Sequence, residues 1–404
     1  MAFFHFIRFL FVYTETTSVL CNMKYGKFFA GVLGVLFVAL EGCDKMVEEA
    51  PLFPQESPRS FVMLEDVAQL LSTLPLGVEQ MMEVQDATGA SAGNGYDEEY
   101  CMRDLFASPG RGVGESGETK AEKYGRPLRD LLREALSTKA ADADWLDSLA
   151  LSDVQIYWPG AGAWDGNRLP VITYDPGDGA AQNEGYELLP DGTVRKVLVD
   201  EQMAREQPVW VVNRNSDADY KSLEMLRRED PTWGQGGGGL IVKGETEELR
   251  TLVIRSFKAL RQYDTWFCGG SEFWIKIGAV EDFTAATEPE LRLYQPSITD
   301  FMLVVRRDQV GEEIPFNAIL VSEWTKQLSS CAYMMLEDDG GTQTTWKCAA
   351  VVKYNSKSYG FELEIPLNSR DDIVWRGALS HDFIEKNNGR PIRFGDVELV
   401  LELI

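Results

Sequence analysis

From Leu249 to Ile404 one strand-like run follows another, about eight in all, with almost no helical periodicity between them. Each strand of this kind carries an apolar face that must be buried against another sheet, which leaves few architectures open. The expectation is a closed antiparallel β-sandwich over 248–404. Upstream the pattern changes. Leu64 to Ser72 and Val78 to Asp86 place apolar residues at helical spacing around Pro75 and Gly77. Pro127 opens a run with Leu128, Leu131, Leu132 and Leu136 on one face, and Asp142 to Leu149 reads as a further helix. Short β-like runs then occur at Val154 to Tyr157, Val171 to Tyr174, Tyr186 to Leu189, Val194 to Val199 and Val209 to Val212, before a helix at Leu223 to Arg228. The sequence therefore predicts an α+β chain, with a mixed helical and β domain over 60–235, a Gly-rich linker over 236–247 and the sandwich after it. Ala87 to Gly125, dense in Gly, Ser and acidic residues, reads as a long loop.

Before this body stands a segment of another kind. Met23-Lys24-Tyr25-Gly26-Lys27, an apolar run from Phe28 to Leu40, and then Glu41-Gly42-Cys43 follow the charged, apolar, small-residue order of a signal peptide. The run is too short to remain as a membrane-spanning helix. Gly42-Cys43 resembles the bacterial lipobox, with Glu41 departing from its pattern. The resemblance implies a signal peptide over 1–43, cleavage before Cys43 and lipid on its sulfur. Met23 is the expected start. Asp44 to Arg59, acidic and proline-containing with little that could pack, is expected to tether lipid to body. This arrangement, together with Asn94-Gly95-Tyr96-Asp97-Glu98-Glu99-Tyr100, resembles envelope lipoproteins of the Bacteroidales type, which implies the cell envelope, in particular the outer membrane, and brings no activity with it.

About 360 residues remain after cleavage, enough for proper cores. The formal net charge of -25 repels phosphate backbones, so nucleic acid is not an expected partner. Gly112 to Thr119 has the glycines of a phosphate-binding loop but carries Glu118 where a Lys must reach the phosphates, which excludes nucleotide. Beyond the expected start at Met23 the chain has one histidine, His381, in an expected loop. That removes zinc sites built on several histidines and most general-base arrangements.

Six cysteines become four once Cys21 and Cys43 are set aside, and export places those four where disulfides form. Cys331 and Cys348 flank two runs joined through Glu337-Asp338-Asp339-Gly340-Gly341. If Asp339-Gly340 makes a two-residue turn, counting outward sets the two cysteines opposite one another, so a cross-strand disulfide is expected, with two buried thiols as the alternative. Cys101 and Cys268 either pair or stay apart.

Three constellations are candidates for binding. Asn213, Asn215, Asp217 and Asp219 place an oxygen side chain at every second position, with Glu224 twelfth, which is the spacing of a calcium loop; Ala218 stands where the sharp turn wants Gly. The alternative is an Asx-rich turn capping the next helix. Separately, Leu252-Val253-Ile254-Arg255 through Asp264 and Gly269-Gly270-Ser271-Glu272-Phe273-Trp274-Ile275-Lys276-Ile277 resembles the opening of a C2 domain. That resemblance implies Asp264 and Glu272 as loop oxygens for calcium, with Asp338 and Asp339 from a second loop. Tyr157, Trp158, Trp164, Asp165 and Tyr174 form the third group, in which aromatic faces beside carboxylates suit a glycan or a peptide. The expected function is a non-enzymatic binding, adhesion or scaffolding module held at the membrane by lipid, with calcium the one cofactor in prospect. The alternative is a surface hydrolase of glycans or peptides using paired carboxylates.

Overall fold

The computed structural model describes residues 62–107, 120–137, 140–215, 220–231 and 249–404. All of them fall in one compact unit, Ser57–Ile404. The signal segment with Cys43, the tether, Gly112 to Thr119, the linker, Asp217 and Asp219 lie outside the described residues. The chain is α+β with a C-terminal β-sandwich.

The N-terminal helices are α1 (Leu64–Thr73), α2 (Val78–Gly93), α3 (Met102–Phe106), α4 (Lys120–Tyr124), α5 (Leu128–Leu136) and α6 (Ala140–Ala150). In α1, Val67, Ala68 and Leu71 fall on one buried stripe, as their spacing requires. The start of α5 has no capping side chain of its own. Glu83 of α2 takes that part, its Oε2 accepting from the Leu128 N–H at 2.6 Å. The expected loop from Ala87 is corrected at its beginning: α2 continues to Gly93 with Thr88 fully buried, and Glu99–Cys101 forms strand β1. Packing rewards helix there although Gly and Ser propensities do not.

Strands β2 (Val154–Tyr157), β3 (Val171–Tyr174), β4 (Gln182–Leu188), β5 (Val194–Asp200) and β6 (Val209–Arg214) join β1 in a sheet of order β1-β2-β6-β3-β4-β5, parallel only between β3 and β6. Between β5 and β6 lies the short helix α7 (Glu201–Glu206), and α8 (Leu223–Glu229) follows β6. Strand β6 is covered on both faces. Trp210 and Val212 enter the core beneath the helices, while Val209 and Val211 pack with Trp266 and Phe267 from the C-terminal half. A continuous apolar run is what such a doubly covered strand needs.

The sandwich comprises β7 (Arg250–Ala259), β8 (Ser271–Ala279), β9 (Ser297–Val305), β10 (Ile314–Trp324), β11 (Leu328–Glu337), β12 (Gln343–Tyr354), β13 (Lys357–Asn368), β14 (Asp372–Ser380), β15 (Pro391–Phe394) and β16 (Val397–Leu403). One sheet runs β10-β7-β16-β15 and the other β13-β12-β11-β8-β9, with β14 also paired to β11. In β16, Val397, Leu399, Leu401 and Leu403 point into the core and Glu398 and Glu402 away from it. His381, expected in a loop, instead begins helix α9 (His381–Asn387) behind the Ser380 cap, 6.1 Å from the Trp324 ring.

The expected Cys331–Cys348 disulfide is overturned, and no disulfide joins the described cysteines. Strand β11 touches β12 only near its start, at Leu328 and Ser330. Beyond that point it pairs with β14 on one side and β8 on the other, so Cys331 faces Leu379. Cys348 meanwhile faces Leu363 across β13. The Asp339-Gly340 pair therefore does not close a tight hairpin; after Gly341, held at φ +106°, the chain departs toward another neighbour. Cys101 and Cys268 have separate partners, Gln155 and Asp175.

Candidate functional site

A cleft of about 630 Å³ opens between the end of β2, helix α7 and the segment around Trp266 and Arg307. Volumes of this order are typical of small-molecule and oligomer sites. Four of the five sequence-expected aromatic-group residues, Tyr157, Trp158, Trp164 and Asp165, line it. Tyr174 does not; it packs half-buried against the helical core. Trp158 is buried behind the wall, with its ring 6.0 Å from Trp210 and 6.0 Å from Trp164 in an edge contact. Trp164 is half-buried and so offers ring surface to a ligand. Its indole N–H is fixed on the Arg168 carbonyl at 2.9 Å, and the Asp165 carboxylate accepts from the Asn167 N–H in the turn that follows.

Residues distant in sequence complete the cleft. Glu98 is set by β1–β2 pairing: its carbonyl accepts from Trp158 N–H and its Oε2 from Gly160 N–H at 3.0 Å. Burial raises the Glu98 carboxyl above its ordinary range, with the Gly160 N–H opposing. Glu201 is at the start of α7, capped by Asp200. Burial would raise its carboxyl too, but Arg205 at 2.8 Å and Arg307 at 3.4 Å pull it below its usual value. Arg307 also donates to the carbonyls of Asp264 at 3.2 Å and Gly269 at 3.5 Å, tying this wall to the β7–β8 loop.

That loop leads to a second centre. Carboxylate oxygens of Asp264, Glu272 and Glu337 all lie within 4.8 Å of one another. Asp264 is held because Ser271 Oγ accepts from the backbone N–H groups of Tyr263 and Asp264. Glu337 ends β11 opposite Phe273 and is fully buried, with no N–H or hydroxyl donor on either carboxylate oxygen and the Asp264 carboxyl within reach of a shared proton. Oδ2 of Asp264 likewise meets no N–H or hydroxyl donor. Burial first, then the neighbouring Asp264, drives the Glu337 carboxyl far above the carboxylate range; burial also raises Asp264. Asp339, expected to share this site, lies at its margin with its carboxyl pushed up to about 6 by burial and by Asp264. Asp338 serves the turn instead, accepting from Gly340 N–H and from the Asn368 amide. Glu337 is thus the member that sequence reading missed, being read as the first residue of a turn.

The other expected calcium loop is not supported at its described positions. Asn213 is a buried strand residue whose amide N–H groups donate to the carbonyls of Phe267 and Cys268. Asn215 donates to Gln155, and Glu224 pairs with Arg227 on α8. The cap of α8 is Ser222, which accepts from Met225 N–H. No protein-family profile, curated protein or solved structure matches the chain.

Proposed function

We propose that this chain is a non-enzymatic binding lipoprotein of the cell envelope, held through lipid on Cys43, that takes a glycan or peptide segment against Trp164. The observation carrying the reading is the cleft itself, which a partly exposed indole lines together with fixed carboxyl and guanidinium groups. Aromatic faces supply sequence-tolerant contact area, and oriented polar groups select hydroxyls or amides at its edge. The net charge of -25 argues against polyanionic ligands.

A hydrolase is the second reading, and one observation favours it. Glu98 is shifted up and Glu201 down within the same cleft, as an acid and a base would be. Two arginines already neutralise Glu201, however, which suits orientation of a ligand better than attack on it. Tryptophan fluorescence of the purified chain, titrated with soluble glycan oligomers and with short peptides, tests the binding reading. Saturable change in one series, weakened about tenfold or more by Trp164→Ala, is the expected result. Equal titrations by both proteins would overturn it, and ligand cleavage abolished by Glu98→Gln would install the hydrolase.

A further inference from the structure

We propose that Asp264, Glu272 and Glu337 form a binding site for one oxygen-seeking divalent cation, calcium, which joins the β7–β8 loop, the start of β8 and the end of β11. Acidic residues in proximity are ordinary on a protein with 64 of them, so proximity alone argues nothing. Glu337 is what distinguishes this group. It is wholly inaccessible to water, and neither oxygen meets an N–H or O–H donor. A buried carboxylate in that condition is costly unless a positive species sits beside it.

For Glu337 itself, no positive group is among the charges that act on it. Arg307 draws the Asp264 carboxyl down by its charge, but its N–H groups are bonded to that residue's backbone carbonyl and to Glu201. Charges that press on Glu337 come from Asp264, Asp339 and Asp372, all of the same sign. Two species can relieve the repulsion: a proton shared between Glu337 and Asp264, or a metal ion. Oxygen-only donors with no His or Cys select a hard cation. With calcium–oxygen bonds of about 2.3–2.6 Å, oxygens up to about 5 Å apart can share one ion, and these three lie within 4.8 Å of one another. Magnesium keeps several of its own waters and fits a dry donor set less well. The site is separate from the cleft and does not depend on what binds there. Nor does it rest on the C2 resemblance, which did not include Glu337.

The test uses the purified chain, stripped with chelator and then dialysed against calcium or magnesium chloride. Calcium is expected to bind at about one per chain and to raise the melting temperature by about 4 °C near 100 times its dissociation constant. Glu337→Gln, which keeps shape and removes charge, is expected to abolish both effects, and Asp264→Asn to weaken them if the first variant folds poorly. Calcium neither bound nor stabilising the parent chain would overturn the site in favour of a shared proton. So would calcium binding unchanged in Glu337→Gln and lost in Asp217→Ala, which would assign the ion elsewhere.

Discussion

Glu201 and Glu337 are the same residue type, linked through Arg307 and Asp264, yet their surroundings send them in opposite directions. Glu201 lies in an open cleft between two guanidinium groups and is held ionised. Glu337 is closed off from water, faces another carboxyl and is driven toward its protonated form. Burial pushes both carboxyls upward, and the outcome turns on the sign of the neighbour. An acid in a cleft is a ready contact for ligand; an acid sealed in a sandwich is a demand for a proton or a cation.

The largest expected effect removes the residue beside both regions. Asp97 is buried and accepts from Gly270 N–H at 2.7 Å and from Glu98 N–H at 2.8 Å, so it anchors the β7–β8 loop to the first sheet. Asp97→Ala strands two donors and should cost about 3 kcal/mol, or roughly 4 °C in a thermal melt. A change under about 1 °C would show that the loop is held by other contacts.

A smaller effect sharpens the contrast between the two acids. The Glu337 carboxyl is raised in the folded state above its ordinary 4.5, so stability present below that value is lost as pH rises. Melts in chelator should therefore fall steadily as pH rises above about 5, by less in Glu337→Gln, and by less again in calcium. Glu201, shifted the other way, contributes stability that is present above its ordinary range and lost on acidification, and Glu201→Gln should leave the alkaline slope unchanged. Equal slopes in the parent and Glu337→Gln would erase the contrast.

The smallest effect concerns the link. Arg307→Ala removes a partly exposed ion pair to Glu201 and two carbonyl contacts, for a loss of about 1 kcal/mol in stability. It should weaken ligand binding in the cleft more than it alters the melt, measured by the same fluorescence titration. A loss of several kcal/mol would mean that Arg307 is chiefly structural.

Part of this was legible in the sequence. Tyr157, Trp158, Trp164 and Asp165 are close in the chain, and a short strand and its turn necessarily bring them together. Asp264 and Glu272 lie either side of one loop and were joined for the same reason. Tyr174 failed because it lies on β3, where alternation sent its ring to the helical side. Glu98, Glu201, Trp266 and Arg307 carried no local signal, since each reaches the cleft through a long-range contact. A clue existed for Glu337: it follows the apolar run Ala332 to Leu336, and an acid continuing a fully buried strand is itself an anomaly.

Apart from β1, which lay in a segment read as loop, the sequence by itself marked where strands would form and which side chains of each would be apolar. In β16 the alternation of Val397, Leu399, Leu401 and Leu403 with Glu398 and Glu402 does so directly. It did not determine neighbours. Whether β11 would run beside β12 or between β8 and β14 decided the fate of Cys331, Cys348 and Glu337 together. Periodicity belongs to a single strand and sets the face on which a residue lies, whereas partner choice depends on burying every strand's apolar face at once, which only the assembled fold can satisfy.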